Sequence, residues 1–201
     1  KALLDYYLDL SVKAQYHSYE VMNQHVSFLF TSLLTDDCIA RGKALLDGGV
    51  RYLGGTNETY GNINTSDSLW VIRDLVFNQK KYTLRQLNDA MLANFNGYEA
   101  LRKDCLNCDK YGNDLETADT MANDLYEFVA KGVRNRGIAI GMQYFLIVIS
   151  NNQLNTEWGN RTAASPDGRL SCMYMNPANN PQGGANKSGP TAMLNSLAKF
   201  D

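Results

Sequence analysis

The position of the prolines is the feature that most constrains the fold of this chain. All four prolines lie after residue 165, so the first four-fifths of the sequence lacks the strongest helix breaker. Apolar residues recur there at helical spacing, which predicts a mainly helical chain. The predicted helices are one or two within residues 1–47, one from residue 66, and others over residues 83–95, 98–106 and 115–134 and from residue 189.

Local signals predict several helix boundaries. Thr83-Leu84-Arg85-Gln86 has the spacing of a capping box, in which the first and fourth residues bond to each other's backbone. Asp47-Gly48-Gly49 is typical of a helix end, because glycine adopts the left-handed conformation at low cost. Gly189-Pro190 predicts the first turn of a final helix, where proline fits.

Two segments depart from the helical period. Residues 48–65 carry five glycines and alternating apolar residues, which predicts a strand or an extended segment. Residues 138–150 include a continuous apolar run, typical of a strand that is buried on both faces. Residues 151–188 are predicted to be largely irregular, with a turn at Ser165-Pro166-Asp167-Gly168-Arg169 that would aim the arginine in a defined direction.

Charge and hydropathy exclude several classes of partner. The 19 basic and 21 acidic residues are mixed along the chain, so no basic patch predicts contact with nucleic acid or an anionic membrane. No apolar run approaches the ~20 residues that a membrane span requires. We therefore expect a cytoplasmic protein with reduced thiols. Because the sequence starts inside a helical pattern without a start Met, we also expect a fragment of a longer chain.

The residue types that carry common two-electron chemistry do not form a recognisable site. Cys105 and Cys108 have CxxC spacing, but no second pair supplies further zinc ligands, so two ordinary, partly buried thiols are favoured. His17 and His25 lack convergent acidic partners, which argues against a metal-dependent hydrolase. The motifs of nucleotide-binding loops and hydrolytic triads are also missing. The sequence thus predicts neither a metal site nor a catalytic residue.

Seven segments, taken in order, resemble consecutive blocks of the glycyl radical enzyme family, which includes pyruvate formate-lyase. Each block is weak evidence alone, but their order is shared over nearly the whole chain. The blocks are Leu34-Thr35-Asp36-Asp37-Cys38-Ile39, Gly48-Gly49-Val50-Arg51-Tyr52, Asn64-Thr65-Ser66-Asp67-Ser68-Leu69, Ala93-Asn94-Phe95-Asn96-Gly97-Tyr98-Glu99, Lys110-Tyr111-Gly112-Asn113-Asp114, Ser165-Pro166-Asp167-Gly168-Arg169 and Ser188-Gly189-Pro190-Thr191-Ala192.

The resemblance implies an α/β fold. It would be part of a ten-stranded barrel, made of two five-stranded half-barrels wrapped by helices, with residues 1–201 as a single partial domain. In the family, the cysteine that becomes a thiyl radical precedes this region and the radical glycine follows it, so no catalytic residue is expected within the chain and the fragment alone should be inactive. Cys38 matches a helical cysteine of relatives. The resemblance also implies a homodimer and an activating enzyme that uses S-adenosylmethionine and an iron–sulfur cluster.

By the same resemblance, Ser150, Asn152, Asn179 and Asn180 are candidate residues of the substrate pocket. The chain has Asn176-Pro177-Ala178-Asn179-Asn180-Pro181 where many members have an Asp-Gly-Ile-Ser-Pro-like run. More amides would suit a polar substrate better than pyruvate. We therefore expect radical carbon–carbon cleavage, or dehydration or elimination, on a small polar metabolite. The alternative is a non-catalytic helical module for binding or assembly that is derived from the same barrel.

Overall fold

A computed structural model describes residues 1–26, 28–142, 144–146 and 152–200, without the side chains of residues 144–146 and 152. In chain order the elements are α1 (Ala2–His25), α2 (Leu29–Leu34), α3 (Cys38–Arg41), a 3-10 helix (Leu45–Asp47), β1 (Gly54–Thr56), α4 (Asn62–Val71), a π-helix (Ile72–Asn78), α5 (Leu84–Leu92), α6 (Glu99–Asn107), α7 (Glu116–Ala139), β2 (Tyr144–Leu146), α8 (Asn152–Asn160) and α9 (Gly189–Leu197).

The chain divides into two compact units. The first comprises Lys1–Glu58 and Glu127–Ile147, and the second comprises Thr59–Tyr126 and Val148–Asp201. The prediction of a single partial domain over residues 1–201 stays a prediction.

In the first unit, α1 packs against the C-terminal half of α7. Leu8 and Val12 of α1 form a small core with Val129 and Val133 of α7. β1 pairs in parallel with β2, with Gly54 opposite Tyr144. The extended segment predicted within residues 48–65 is therefore confirmed, although only three of its residues form a strand.

The second unit has a larger apolar core, which lies among the π-helix, α5 and α6. Its buried members are Val71, Leu75, Leu87, Ala90, Phe95, Leu101, Cys105 and Ala164. The capping box is confirmed, since the Gln86 N–H donates to Thr83 Oγ1 at 3.2 Å and Gln86 Oε1 accepts from the Thr83 N–H at 2.9 Å. The helix predicted from Gly189-Pro190 is confirmed as α9.

Two elements of the second unit differ in extent from the sequence prediction. The helix predicted from Ser66 begins at Asn62, after Gly61 in the left-handed conformation. Residues 151–188, predicted to be largely irregular, contain α8. Both segments are rich in Asn, Ser and Thr, which have low helix propensity because their side chains compete for backbone hydrogen bonds. Here the asparagines bond to distant loops instead: Asn155 Nδ2, for example, donates to Met175 O at 2.9 Å.

Two boundaries in the first unit also differ from the sequence prediction. The described part of residues 1–47 forms three α-helices and a 3-10 helix rather than one or two helices, and Phe28, just before α2, is in the left-handed conformation. Ile138 belongs to α7, so the strand predicted over residues 138–150 is described only at Tyr144–Leu146. Because the side chains there lie outside the described part, burial on both faces stays a prediction.

Candidate functional site

Two of the resemblance blocks lie in the first unit and are joined by an ion pair. Arg51 Nε contacts Asp37 Oδ2 at 2.9 Å and Arg51 Nη2 contacts Asp37 Oδ1 at 3.2 Å. The hydrogen bond from this guanidinium lowers the pKa of the Asp37 carboxyl. Cys38 is buried in α3 below Gly49, where an added Cβ would lie 2.9 Å from the thiol sulfur. The prediction that Cys38 is a helix residue is thus confirmed.

In the second unit, α4 binds the turn at residues 165–169. Asn64 Nδ2 donates to Asp167 Oδ2 at 2.7 Å, and the Asp167 N–H donates to Ser68 Oγ at 3.2 Å. The predicted turn is confirmed by the bond from the Gly168 N–H to Ser165 O at 3.0 Å. These contacts bring together two blocks that lie about 100 residues apart in sequence.

The turn gives Arg169 a defined direction, as predicted, and that direction is into the protein, where the residue is buried. Its guanidinium donates to three main-chain carbonyls, among them Met173 O at 2.7 Å and Ala163 O at 2.5 Å. Burial lowers the pKa of this group, whereas Asp167 raises it. A guanidinium with these partners holds the 163–173 loop together, which is a structural role.

An amide network connects α4 to the loop at residues 176–182. The Asn176 N–H donates to Asn64 Oδ1 at 2.8 Å, and Asn176 Oδ1 accepts from the Asn64 N–H at 3.2 Å. Asn62 Nδ2 donates to Asn179 Oδ1 at 2.8 Å, and Asn62 Oδ1 accepts from Asn176 at 3.1 Å. Asn64 also reaches Gln182 Oε1, at 3.0 Å. The network therefore holds the loop that contains Asn179 and Asn180, which the family resemblance predicts to be pocket residues.

A group of buried ionisable residues lies beside this network. Asp67 Oδ1 accepts from the Tyr111 N–H at 3.0 Å, whereas Asp67 Oδ2 has no hydrogen-bond partner in the described part of the chain. Desolvation raises the pKa of Asp67 to about 7. Asp119 is also buried, and Lys199 Nζ contacts its carboxylate at 2.8 Å. The bond to Asp119 raises the pKa of Lys199.

The predicted pocket residues are only partly described. Ser150 lies outside the described residues, and so does the side chain of Asn152, whose backbone begins α8. Asn179 is half-buried within the amide network, while Asn180 is exposed and its N–H donates to Pro177 O at 3.0 Å. The structure therefore connects one of the four predicted residues to a polar network, and their role in binding stays a prediction.

Sequence reasoning did not single out the residues that organise this network. Asn62, Asn64 and Asn176 make its central bonds, yet asparagine in a polar segment is typical of a loop or a cap. The one signal that could have found Asn64 is its position in a resemblance block.

The Cys105-x-x-Cys108 pair is confirmed as two ordinary, partly buried thiols. Cys105 is buried in α6 and Cys108 is half-buried just after it. Burial raises the pKa of Cys105 to about 12 and that of Cys108 to about 11, so both remain neutral thiols at physiological pH.

The described residues contain neither a metal-binding group nor a helix that could span a membrane. Among them, no three His, Cys, Asp or Glu side chains converge in a way that could hold a metal ion. None of the described helices combines the length and the apolar character that crossing a membrane requires.

Comparison with known proteins identifies the family. A family model described as "Pyruvate formate lyase-like" matches residues 1–154. Trans-4-hydroxy-L-proline dehydratase of Clostridioides difficile is 31% identical over 100% of this chain and 26% of its own length. (2S)-3-sulfopropanediol dehydratase of Klebsiella oxytoca is 33% identical over 86% of this chain and 21% of its own length.

Solved structures share the fold. A structure from a study of 1,2-propanediol dehydration in Roseburia inulinivorans superposes with a TM-score of 0.89 at 30% identity, covering 98% of this chain and 26% of the other. Hydroxyproline dehydratase of Clostridioides difficile, with trans-4-hydroxy-L-proline bound, gives a TM-score of 0.76 at 32% identity, covering 85% of this chain and 22% of the other. The chain thus spans about a quarter of the length of the relatives it matches. It belongs to the pyruvate formate lyase-like family of glycyl radical enzymes.

Proposed function

We propose that the protein carrying this chain is a cytoplasmic glycyl radical enzyme that dehydrates, or otherwise eliminates a group from, a small hydroxylated metabolite. The observation that carries the proposal is the likeness over the full chain to trans-4-hydroxy-L-proline dehydratase. Two further relatives are a sulfopropanediol dehydratase and an isethionate sulfite-lyase, so elimination from small polar molecules recurs among them.

This chain would supply part of the barrel wall and one side of the pocket. The parallel pairing of β1 with β2 supports a place in a ten-stranded barrel built from two half-barrels. Exposed apolar residues of α2 support a larger surrounding fold, since Leu29, Phe30 and Leu34 are 68–76% exposed. We infer that other parts of the enzyme cover them.

Asn179 is the described residue best suited to contact a substrate. Its Oδ1 is held by Asn62, while its Nδ2 makes no hydrogen bond to any other described residue. A half-buried amide with an uncommitted donor can bind a substrate hydroxyl or carboxylate oxygen, and the bond to Asn62 keeps it in a fixed orientation. Ser150, Asn152 and Asn180 remain proposed pocket residues by resemblance.

The radical itself would come from outside this chain. By family resemblance, the thiyl cysteine precedes residue 1 and the radical glycine follows residue 201, so the chain alone would be inactive. An activating enzyme with S-adenosylmethionine and an iron–sulfur cluster would install the glycyl radical, and the full enzyme would form a homodimer. The residues of this chain would then bind and orient the substrate.

The proposal is tested on the full-length protein under anaerobic conditions. After treatment with an activating enzyme, we expect a glycyl radical signal by electron paramagnetic resonance and loss of water from 1,2-propanediol, glycerol or trans-4-hydroxy-L-proline. A radical signal with cleavage of pyruvate instead would contradict dehydration. A protein in which no radical can be installed would favour the binding or assembly module.

The same assay tests the pocket. Asn179→Ala should raise KM for the substrate about tenfold, the effect of losing one hydrogen bond to a polar or charged group, and should leave the radical signal intact. Asn88→Ala is the matched control, because this asparagine of the same unit is exposed on α5 and is not a proposed pocket residue. Equal effects of the two substitutions would argue against a pocket position for Asn179.

A further inference from the structure

The second unit contains a cavity that none of the proposed substrate-pocket residues lines. Its volume is about 480 Å³. One wall is a face of α6, with Glu99, Arg102, Lys103 and Leu106 spaced three and four residues apart. The opposite wall is formed by residues 167–169 and 182–187. At Gly184 in that wall, an added Cβ would meet no atom within 4 Å.

Cationic side chains outnumber carboxyl groups around this cavity. Its five cations are Arg102, Lys103, Lys110, Arg169 and Lys187. Within the described part of the chain, no side-chain nitrogen of the five lies within 4.0 Å of a carboxylate oxygen, whereas cations elsewhere, such as Lys199 and Arg136, form ion pairs. The five cations thus exceed the three carboxyl groups of the cavity, although Asp167 still stabilises the charged form of Arg169.

The three carboxyl groups of the cavity are bound by neutral donors instead. Asp167 accepts from Asn64 Nδ2 at 2.7 Å and from a serine hydroxyl. Glu99 accepts from the Gly97 N–H at 3.0 Å. Asp67 accepts from one backbone N–H. These bonds hold the carboxylates without ion pairs to the cations. Among the described residues, the ammonium groups of Lys103 and Lys187 and the terminal amino groups of Arg102 keep donors for an added anion.

Arg102 and Lys110 are held in place by main-chain carbonyls, as Arg169 is. Arg102 Nε donates to Gly168 O at 3.0 Å, and the terminal amino groups of Arg102 make no hydrogen bond to the other described residues. Lys110 is only 6% exposed, and its ammonium donates to Cys105 O at 2.5 Å and Cys108 O at 3.2 Å. A lysine ammonium has three donors, so one remains for a ligand.

We propose that this cavity is a second binding site, for a small molecule carrying an oxyanion, either a carboxylate or a phosphate group. A guanidinium that is already oriented and a buried ammonium are the groups that bind such anions most strongly. Asp67 supports the assignment, because its Oδ2 lacks a partner among the described residues. With its pKa raised to about 7, its protonated form can donate an O–H to the anion.

The site is tested by isothermal titration of the purified full-length protein at low ionic strength, with inorganic phosphate in one series and succinate in the other. We expect saturable binding of at least one of them, and the anion that binds identifies the class of ligand. Arg102→Gln and Lys187→Gln should each weaken binding about tenfold, since each removes one charge-assisted contact. Lys187 is exposed and only its backbone N–H is hydrogen-bonded in the described part, so its variant should fold normally.

Arg85→Gln is the matched control, because this arginine belongs to the same unit, lies outside the cavity and is 91% exposed. It should bind as the unmodified protein does. The proposal is overturned if neither anion binds saturably, or if Arg85→Gln weakens binding as much as the cavity variants do. The titration requires no radical, so its result is independent of the proposed dehydratase activity.

Discussion

Replacing Asn64 with aspartate changes one atom of a buried contact. In the folded protein, Asn64 Nδ2 donates to Asp167 Oδ2 at 2.7 Å, and Asn64 is 5% exposed. The substitution keeps the shape of the side chain and the acceptor oxygen that binds the Asn176 N–H. It replaces the donor with an oxygen that faces another carboxylate, so a hydrogen bond becomes a repulsive contact between two like charges.

The magnitude follows from the loss of this bond. A hydrogen bond to a charged group contributes about 1.5–3 kcal/mol, and an uncompensated buried charge costs about 3–5 kcal/mol. Above pH 7 we therefore expect Asn64→Asp to lower the free energy of unfolding by about 3–5 kcal/mol. A typical domain is stable by only about 5–15 kcal/mol, so this is a large fraction of the total.

The sign of the pH dependence distinguishes repulsion from simple loss of packing. Burial and the facing carboxylate raise the folded-state pKa of the new carboxyl above its unfolded value of about 3.9. Its contribution to stability is present below the unfolded pKa and is lost as pH rises through the folded pKa. The protonated acid can donate to Asp167 as the amide did. The loss in free energy of unfolding, relative to the unmodified protein, should therefore be small near pH 4 and grow towards pH 7.

Urea denaturation of both proteins at each pH measures this difference. Asn195→Asp is the matched control, because Asn195 Nδ2 makes the same kind of bond to Asp114 Oδ2, at 2.8 Å, but on an exposed helix face. We expect it to cost about 1 kcal/mol or less. A deficit for Asn64→Asp that does not change between pH 4 and pH 7 would refute the electrostatic argument.

Three further substitutions, one of them with a matched control, test other contacts of the second unit by chemical denaturation. Gly168→Ala should lower the free energy of unfolding by about 2–4 kcal/mol, because φ is +95° and the new Cβ would lie 2.7 Å from a leucine methyl. Its control is Gly184→Ala, at φ +79° in open space, which should cost about 1 kcal/mol. Lys199→Met should cost about 2–3 kcal/mol by leaving the buried Asp119 carboxylate unpaired, and a cost near zero would show that solvent replaces the ammonium. Burial raises the pKa of Asp67 in the folded protein to about 7, so the stability that its protonated carboxyl contributes is lost as pH rises through that value. Asp67→Asn should therefore reduce the loss of folding stability between pH 5 and pH 8. An unchanged pH profile of stability would contradict the raised pKa of Asp67.

The elements that sequence patterns predicted well are those with local signals. The Thr83 capping box and the Gly189-Pro190 helix start involve residues within one turn of each other, so their energies are set by neighbours in sequence. The same holds for the turn at Ser165, which closes between residues three apart. These predictions needed no knowledge of the rest of the fold.

The elements that sequence patterns missed depend on distant partners. The first turn of α4 is composed of poor helix formers, and its asparagines bond to the loop at residues 176–182, more than 100 residues away. Likewise α8 is tied to Met175 through Asn155. Helix propensity differs by less than about 1 kcal/mol between ordinary residues, so a few such bonds outweigh it.

The candidate site shows the same division. The order of seven short blocks was sufficient to predict the family, because family membership depends on residue identity along the chain. Only the tertiary structure decided which polar groups contact each other, since hydrogen bonds and charge interactions depend on distance in space. The sequence therefore determined the family and the locally capped helices, whereas folding decided that Asn64 would bind Asp167 and that cations from α6 and residues 169–187 would line one cavity.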